Sequence, residues 1–274
     1  LPLFADLLDP RNPPAVQEAA VVALARLGSP EAADALLAAW RGMSPQVRAR
    51  AVDALLGREA WAGRLLAAVE DGRVQAAQLD AAARERLLRS NNAGLRGRAE
   101  KLFAAGTSPD RAMVIARYLK EMPAKGDPAN GRLVFRKTCA ACHQLEGHGH
   151  AVGPDLMTTT DKPADWFLTA VLDPNRAVEA RYVEYQARTA DGRVVSGLLV
   201  AETGVGITLR GAEGKEEVIP RRDLESLAST GRSPMPDGLE KDLSPRDMAD
   251  LFAYLAGLRP KLPGPPAGEP PGSR

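Results

Sequence analysis

The chain has 274 residues, which is long enough for two domains of ordinary size. Lys and Arg number 36 against 35 Asp and Glu, and a net charge of +1 excludes a global field that would recruit nucleic acid or an anionic membrane. The aromatic content of 4%, with abundant Ala and Leu, predicts helices over much of the length. The longest apolar runs fall well short of the roughly eighteen residues needed to cross a bilayer, so we predict no membrane span.

The first half of the chain is predicted to be a stack of short antiparallel helices. Three Ser-Pro pairs supply a helix cap followed by proline at the first helical position: Ser29-Pro30, Ser44-Pro45 and Ser108-Pro109. Apolar triplets with helical spacing recur along the segment: Val16, Ala20 and Leu24; Val47, Ala51 and Leu55; Leu95, Ala99 and Phe103. This self-similarity predicts a HEAT-like helical solenoid over residues 1–124, with a generic helical bundle as the alternative.

The chain opens with Leu1-Pro2-Leu3-Phe4, without an initiator Met and without a signal peptide. Because this opening lies in a segment predicted to fold, we expect the chain to be part of a longer protein. Lys125-Gly126 is the predicted domain boundary, since Asp127-Pro128 then begins a new helix with a capping residue and proline.

Both cysteines of the chain stand in one run, Cys139-Ala140-Ala141-Cys142-His143. In a C-x-x-C-H run the two thiols attach a haem covalently, and the histidine becomes an axial ligand of the iron. A thioredoxin-like dithiol would need a strand before it, whereas this segment is predicted to be helical. A zinc site would need four ligands, and the sequence has no second Cys pair or H-x3-5-H run to complete one. A disulfide between Cys139 and Cys142 would be strained. The run therefore favours haem c over these alternatives.

Two later segments are candidates for completing a haem site. Gly153-Pro154 is a rigid turn whose Pro154 carbonyl is a candidate to accept a hydrogen bond from the second ring nitrogen of His143, with an ordinary surface turn as the alternative. Met235 stands between two prolines in a non-helical loop, and a thioether is a good sixth ligand that raises the reduction potential. The weaker candidates for that position are Met157, Met248, His148 and His150.

The periodicity changes after a helix predicted from Pro163 to Leu172. Alternating segments from Tyr182 to Thr189 and from Val194 to Val200 flank Asp191-Gly192, which is a strong hairpin signal. Two more short strands are predicted at 204–210 and 216–219, giving a three- or four-stranded antiparallel insert over about 182–224. One interpretation of this insert is a lid or a surface for docking a partner. The alternative is an extra element without a function of its own.

A last helix is predicted from the capping pattern Ser244-Pro245-Arg246-Asp247 to Gly257. Beyond Arg259 the chain is rich in Pro and Gly with almost no apolar residues, so residues 260–274 are predicted to be a disordered tail.

Taken in order, the motifs in residues 127–258 resemble a class I cytochrome c domain of the planctomycete and verrucomicrobial multidomain haem-binding type. The resemblance implies that Gly131 lets the first and last helices cross closely, with Phe135 against Leu251 and Tyr254 near the haem. It also implies the β insert, the HEAT-like repeats that precede the domain, and a periplasmic or otherwise extracytoplasmic location. The predicted architecture is thus mainly α, with a cytochrome c domain over residues 125–259.

These features predict an electron-transfer module with His/Met-ligated haem c (iron) and no catalytic residue of its own. Its expected partner is a redox protein or a fused dehydrogenase domain, with no nucleic acid involved. The alternatives are the electron-exit domain of a sugar or alcohol dehydrogenase, a haem sensor or peroxidatic site, and a helical-repeat scaffold for protein binding. Whether the parent chain is an enzyme is left open.

Overall fold

The computed structural model describes residues 2–104, 109–176 and 178–258. Their helices are α1 (Pro2–Leu7), α2 (Pro14–Leu27), α3 (Pro30–Ala39), α4 (Pro45–Leu56), α5 (Glu59–Glu70), α6 (Ala81–Leu88), α7 (Ala93–Ala104), α8 (Pro109–Glu121), α9 (Pro128–Val134), α10 (Ala164–Leu172) and α11 (Pro245–Gly257). Among these residues no helix combines the length and apolarity needed to cross a membrane. The predicted tail, 260–274, lies outside the described residues.

Helices α2 to α7 pack as successive antiparallel pairs. Within the pairs α2 lies on α3, α4 on α5 and α6 on α7, and α2, α4 and α6 also contact one another in turn along one layer. The Ser29 and Ser44 hydroxyls accept hydrogen bonds from backbone amides of α3 and α4, as the Ser-Pro pairs predicted, while Ser108 lies outside the described residues. Trp40 and Trp61 are buried between the helices.

Four helices near the predicted haem motif share a separate hydrophobic cluster. It contains Val134 of α9 and Phe135 directly after it, Leu168 of α10 and Leu251 of α11, together with Ile115 and Tyr118 of α8. The Tyr118 hydroxyl donates to the Leu243 carbonyl just before α11, and Arg111 pairs with Glu240 at 2.9 Å. Helix α8 therefore packs with the later part of the chain, although it precedes Lys125.

The insert between α10 and α11 is an antiparallel sheet of five strands, in the order β6-β5-β4-β3-β7. These strands are β3 (Glu184–Thr189), β4 (Val194–Glu202), β5 (Gly206–Arg210), β6 (Glu216–Pro220) and β7 (Leu224–Ser229), while β1 (Gln144–Leu145) and β2 (His148–Gly149) form a small hairpin after the motif. The expectation of three or four strands ending near 224 was therefore one strand short. Strand β7 lacks clean alternation because its pairing with β3 shifts register between Arg188 and Thr189.

The sheet packs directly on the helical stack. The buried Tyr185 of β3 donates its hydroxyl to the Met43 carbonyl at 2.9 Å, and its ring lies 5.7 Å from the Arg48 guanidinium. Gln78 donates to Ser229 of β7 at 3.1 Å and accepts from the Trp40 indole at 2.8 Å. The insert is thus held by the stack as well as by the helices that flank it in sequence.

Candidate haem-binding site

The C-x-x-C-H run follows directly from α9 through one wide turn. Residues Phe135–Cys139 form a π-helical turn in which the Ala140 amide donates to the Phe135 carbonyl at 3.0 Å. The Cys139 carbonyl then accepts from the amides of Cys142 and His143, at 3.1 and 2.9 Å. Such wide turns are often found at functional sites. The backbone therefore gathers both thiols and the imidazole on one compact turn.

The two thiols are half-buried and are not joined by a disulfide. Burial raises the pKa of the Cys139 thiol to about 12, and burial also raises the pKa of Cys142. A dithiol that exchanges disulfides needs a lowered thiol pKa, so these cysteines differ from a thioredoxin-like pair. Among the described residues, no group of three or more His, Cys, Asp or Glu side chains is arranged to hold a metal ion.

The loop after the motif folds back over it and orients the His143 ring. Amides of His150 and Gly153 donate to the carbonyls of Ala140 and Cys142, at 3.0 and 2.6 Å. The loop thereby brings the Pro154 carbonyl to 2.9 Å from His143 Nδ1. Because a carbonyl only accepts, Nδ1 carries the proton and Nε2 presents its lone pair.

Burial lowers the pKa of His143, and the hydrogen bond to Pro154 partly offsets this effect. The ring is therefore neutral near pH 7, which is the form that ligates a metal. Nε2 has no hydrogen-bond partner in the described part of the chain. Gly153 packs against the ring, since a Cβ there would lie 2.5 Å from His143 Cε1. The imidazole is held in one orientation with one nitrogen available.

The helix crossing beneath the motif brings together four of the residues singled out in the sequence. A Cβ on Gly131 would lie 1.9 Å from the Asp250 carbonyl oxygen, so only glycine allows α9 and α11 to approach this closely. The rings of Phe135 and Tyr254 lie 6.2 Å apart, and Leu251 is buried in the same cluster. The Tyr254 hydroxyl donates to Glu146 just after the motif, at 2.7 Å.

Met235 lies in the loop between β7 and α11 and is half-buried. Its amide donates to the Ser233 hydroxyl at 3.1 Å. Leu239, four residues later, packs against the same hydrophobic cluster as Cys139 and Phe135. The loop is therefore tied to the motif side of the domain through Leu239. Of the weaker candidates, Met157 and His148 are exposed, and Arg136 donates to His148 at 2.8 Å.

One contact with the motif had no signal in the sequence. The amide of Glu213, in the turn between β5 and β6, donates at 2.8 Å to the carbonyl of Ala141, which stands between the two cysteines. Arg210 of β5 also reaches the Ala151 carbonyl at 3.5 Å. The tip of this hairpin therefore lies against the turn formed by Cys139–His143, the attachment turn. A main-chain contact between residues so distant in sequence leaves no motif to detect.

Comparison with known proteins agrees with this geometry. Residues 128–203 match the family model of Cytochrome c, from the start of α9 to just past the end of β4. The match includes Cys139, Cys142, His143 and Pro154, and it ends before Met235. No curated protein matches the chain.

The chain therefore contains a cytochrome c domain. Its cofactor is haem c, whose iron-bearing porphyrin is bound covalently. The neutral, half-buried thiols and the Nε2 of His143, which has no partner among the described residues, fit that cofactor.

Proposed function

We propose that residues 125–259 form an electron-transfer module in which Cys139 and Cys142 attach the haem, and His143 and Met235 are its axial ligands. The observation that carries this proposal is the His143 ring, bound through Nδ1 to Pro154 and with Nε2 unpartnered among the described residues beside both thiols. When bound, haem c supplies one-electron chemistry between ferrous and ferric iron. Pro154 makes the imidazole a better donor, and a filled sixth position leaves no site for substrate.

The assignment of Met235 rests on its loop. The loop connects β7 to α11, whose buried residues share a cluster with the attachment turn, and Leu239 joins that cluster. A half-buried thioether in a loop fixed at both ends is available as a ligand, whereas Met248 is fully buried within α11. These features support Met235 over Met157 and Met248 as the sixth ligand.

For the rest of the molecule we propose a supporting role. The alternating pairs of α2 to α7 support HEAT-like repeats, which would orient the haem domain or dock a partner. The resemblance to the planctomycete and verrucomicrobial type supports an extracytoplasmic location and a parent chain with a dehydrogenase domain. Electrons would then pass to a transient redox partner through a small interface.

Optical spectra of the holoprotein test the ligand assignment. We expect a reduced spectrum that ignores carbon monoxide, and a weak far-red charge-transfer band in the oxidised protein. Met235→Ala should remove that band, admit carbon monoxide and lower the reduction potential, because loss of the thioether removes the ligand that favours ferrous iron. Met157→Ala is the control, since Met157 is 39% exposed, and it should change none of these.

Two results would count against the proposal. A wild-type spectrum that shifts with carbon monoxide would favour the sensing or peroxidatic alternative. A far-red band that survives in Met235→Ala would remove Met235 as the ligand.

A further inference from the structure

The loop that carries Met235 is fastened by one side chain from another part of the chain. Asn175 accepts a hydrogen bond from the Ser233 amide through Oδ1 at 2.9 Å, and donates from Nδ2 to Asp237 Oδ1 at 2.8 Å. These contacts fall two residues before and two residues after Met235. One amide group therefore spans the segment that presents the thioether.

The loop has few other restraints between those two contacts. Pro234 and Pro236 have no amide hydrogen, and among the described residues the Met235 amide binds only the neighbouring Ser233 hydroxyl. Pairing with β3 ends where the Arg232 carbonyl accepts from Glu184 at 2.8 Å. From Ser233 to Asp237 the backbone thus leaves the sheet without entering another regular element.

Asn175 is itself well anchored. It lies in the turn after α10, where the Arg176 amide donates to the Asp173 carbonyl at 3.1 Å. Leu168 and Leu172 of α10 are fully buried in the cluster that also contacts Cys139. The Asp237 carboxylate receives a second bond from Arg232, which orients it toward Asn175. The side chain therefore connects the core beneath the attachment turn to both sides of the Met235 loop.

We infer that Asn175 is a positioning residue for the sixth iron ligand. Its two hydrogen bonds fix the conformation of the Ser233–Asp237 segment. Met235 is therefore kept near the site by the protein as well as by its bond to iron. Loss of the Asn175 contacts frees this segment while leaving the helical core intact. This inference rests on the proposed role of Met235.

The test compares holoprotein variants with a matched control. Asn175→Ala removes both contacts, and Asn175→Asp keeps the acceptor for Ser233 but places a carboxylate against Asp237. Asn130→Ala is the control, because Asn130 also donates its amide to a carboxylate of the same domain, Asp250 Oδ2 at 2.7 Å, but at the helix crossing.

In Asn175→Ala we expect the carbon monoxide-reactive fraction of reduced protein to rise by about tenfold or more, because two hydrogen bonds are lost and each one alone changes an equilibrium by up to about tenfold. The far-red band of the oxidised protein should weaken, and the pH at which the band disappears should fall. Asn175→Asp should lie between wild type and Asn175→Ala. Asn130→Ala should lower the denaturation midpoint by as much or more, with the band and the carbon monoxide response unchanged.

The outcomes separate this inference from the proposed function. If Met235→Ala loses the band but both Asn175 variants keep it and still ignore carbon monoxide, the positioning role is wrong and the ligand assignment stands. If Met235→Ala keeps the band, the ligand assignment itself fails. If Asn130→Ala weakens the band as much as Asn175→Ala does, the effect is general loosening of the domain and the positioning role is overturned.

Discussion

At the scale of single residues, the haem motif depends on neighbours that have no reactive group. The Pro154 carbonyl fixes the tautomer of His143, and Gly153 leaves room for its ring. Gly149, with φ of +86°, lets the following loop fold back, since a Cβ there would lie 2.2 Å from the His143 carbonyl oxygen. The chemistry of the imidazole is therefore set by backbone atoms placed around it.

Gly153→Ala should tilt the His143 ring away from its present orientation. The added Cβ would lie within 3 Å of three ring atoms, and the ring cannot yield without weakening its bond to Pro154. We expect the haem to stay covalently attached, as a c-type pyridine haemochrome would show. The spectrum of the oxidised protein should change in the way expected for weaker axial ligation by His143. Gly204→Ala is the control, because a Cβ there meets no atom within 4 Å. Equal spectra for both variants would contradict a role for Gly153.

At the scale of elements, the crossing of α9 and α11 is the closest helix approach in the haem domain that the described residues show. Gly131 permits it, and the buried Asp250 stabilises it by accepting from the Asp127 amide at 2.6 Å and from Asn130. The capping box Ser244–Asp247 fixes the start of α11. Phe135 and Tyr254 then pack around the crossing.

Gly131→Ala should destabilise the protein by about 3 kcal/mol, the upper end of the usual cost of overpacking, because the Cβ would overlap main-chain atoms that cannot rotate away. Gly97→Ala, in the middle of α7, is the matched control. A Cβ on Gly97 meets no atom within 4 Å, so this change should stabilise the protein by about 0.5–1 kcal/mol through helix propensity. Denaturant unfolding of both variants measures the difference. A loss below 1 kcal/mol for Gly131→Ala would show that the helices separate easily.

Most elements could be predicted from local sequence signals, because caps and apolar periods act within a few residues. The Ser44 cap and the Asp127-Pro128 start show this, and so do the first four strands of the sheet. Strand β7 was missed because Leu224 and Leu227 are three residues apart, which does not alternate. The Asn175 contacts and the Glu213 contact were missed because they join distant segments without any repeated residue pattern.

At the scale of the whole molecule, the five-stranded sheet joins the helical stack to the haem motif. Its β3 and β7 side contacts the stack through Tyr185 and Ser229, and the tip of its β5–β6 hairpin contacts Ala141. Arg48 lies at the first of these contacts, with Nε and Nη1 unpartnered in the described part of the chain and its pKa lowered by burial. It is stabilised by the rings of Trp40 and Tyr185 and by main-chain carbonyls.

Tyr185→Ala should therefore uncouple the stack from the haem segment. We expect a loss of about 3–5 kcal/mol, the usual cost of deleting a buried aromatic ring, since Arg48 also loses a ring contact. Tyr185→Phe keeps the ring and should cost about 1 kcal/mol. Unfolding followed by haem absorbance and by far-ultraviolet circular dichroism should coincide in wild type and separate in Tyr185→Ala. Coincident curves in that variant would show that the sheet is not the link.

The contact between Glu213 and Ala141 also bears on how this sequence can vary. Because it joins a main-chain amide to a main-chain carbonyl, it does not depend on which side chains stand at either position. The two positions therefore have no reason to vary together among related sequences. The contact does require a left-handed backbone conformation at position 213, since Glu213 has φ of 58°. Gly, Asn and Asp adopt that conformation more readily than Glu. Substitutions accepted at this position should therefore be mostly to those three residues. The hydrogen bond between the hairpin and the attachment turn would then persist while the surrounding sequence changed.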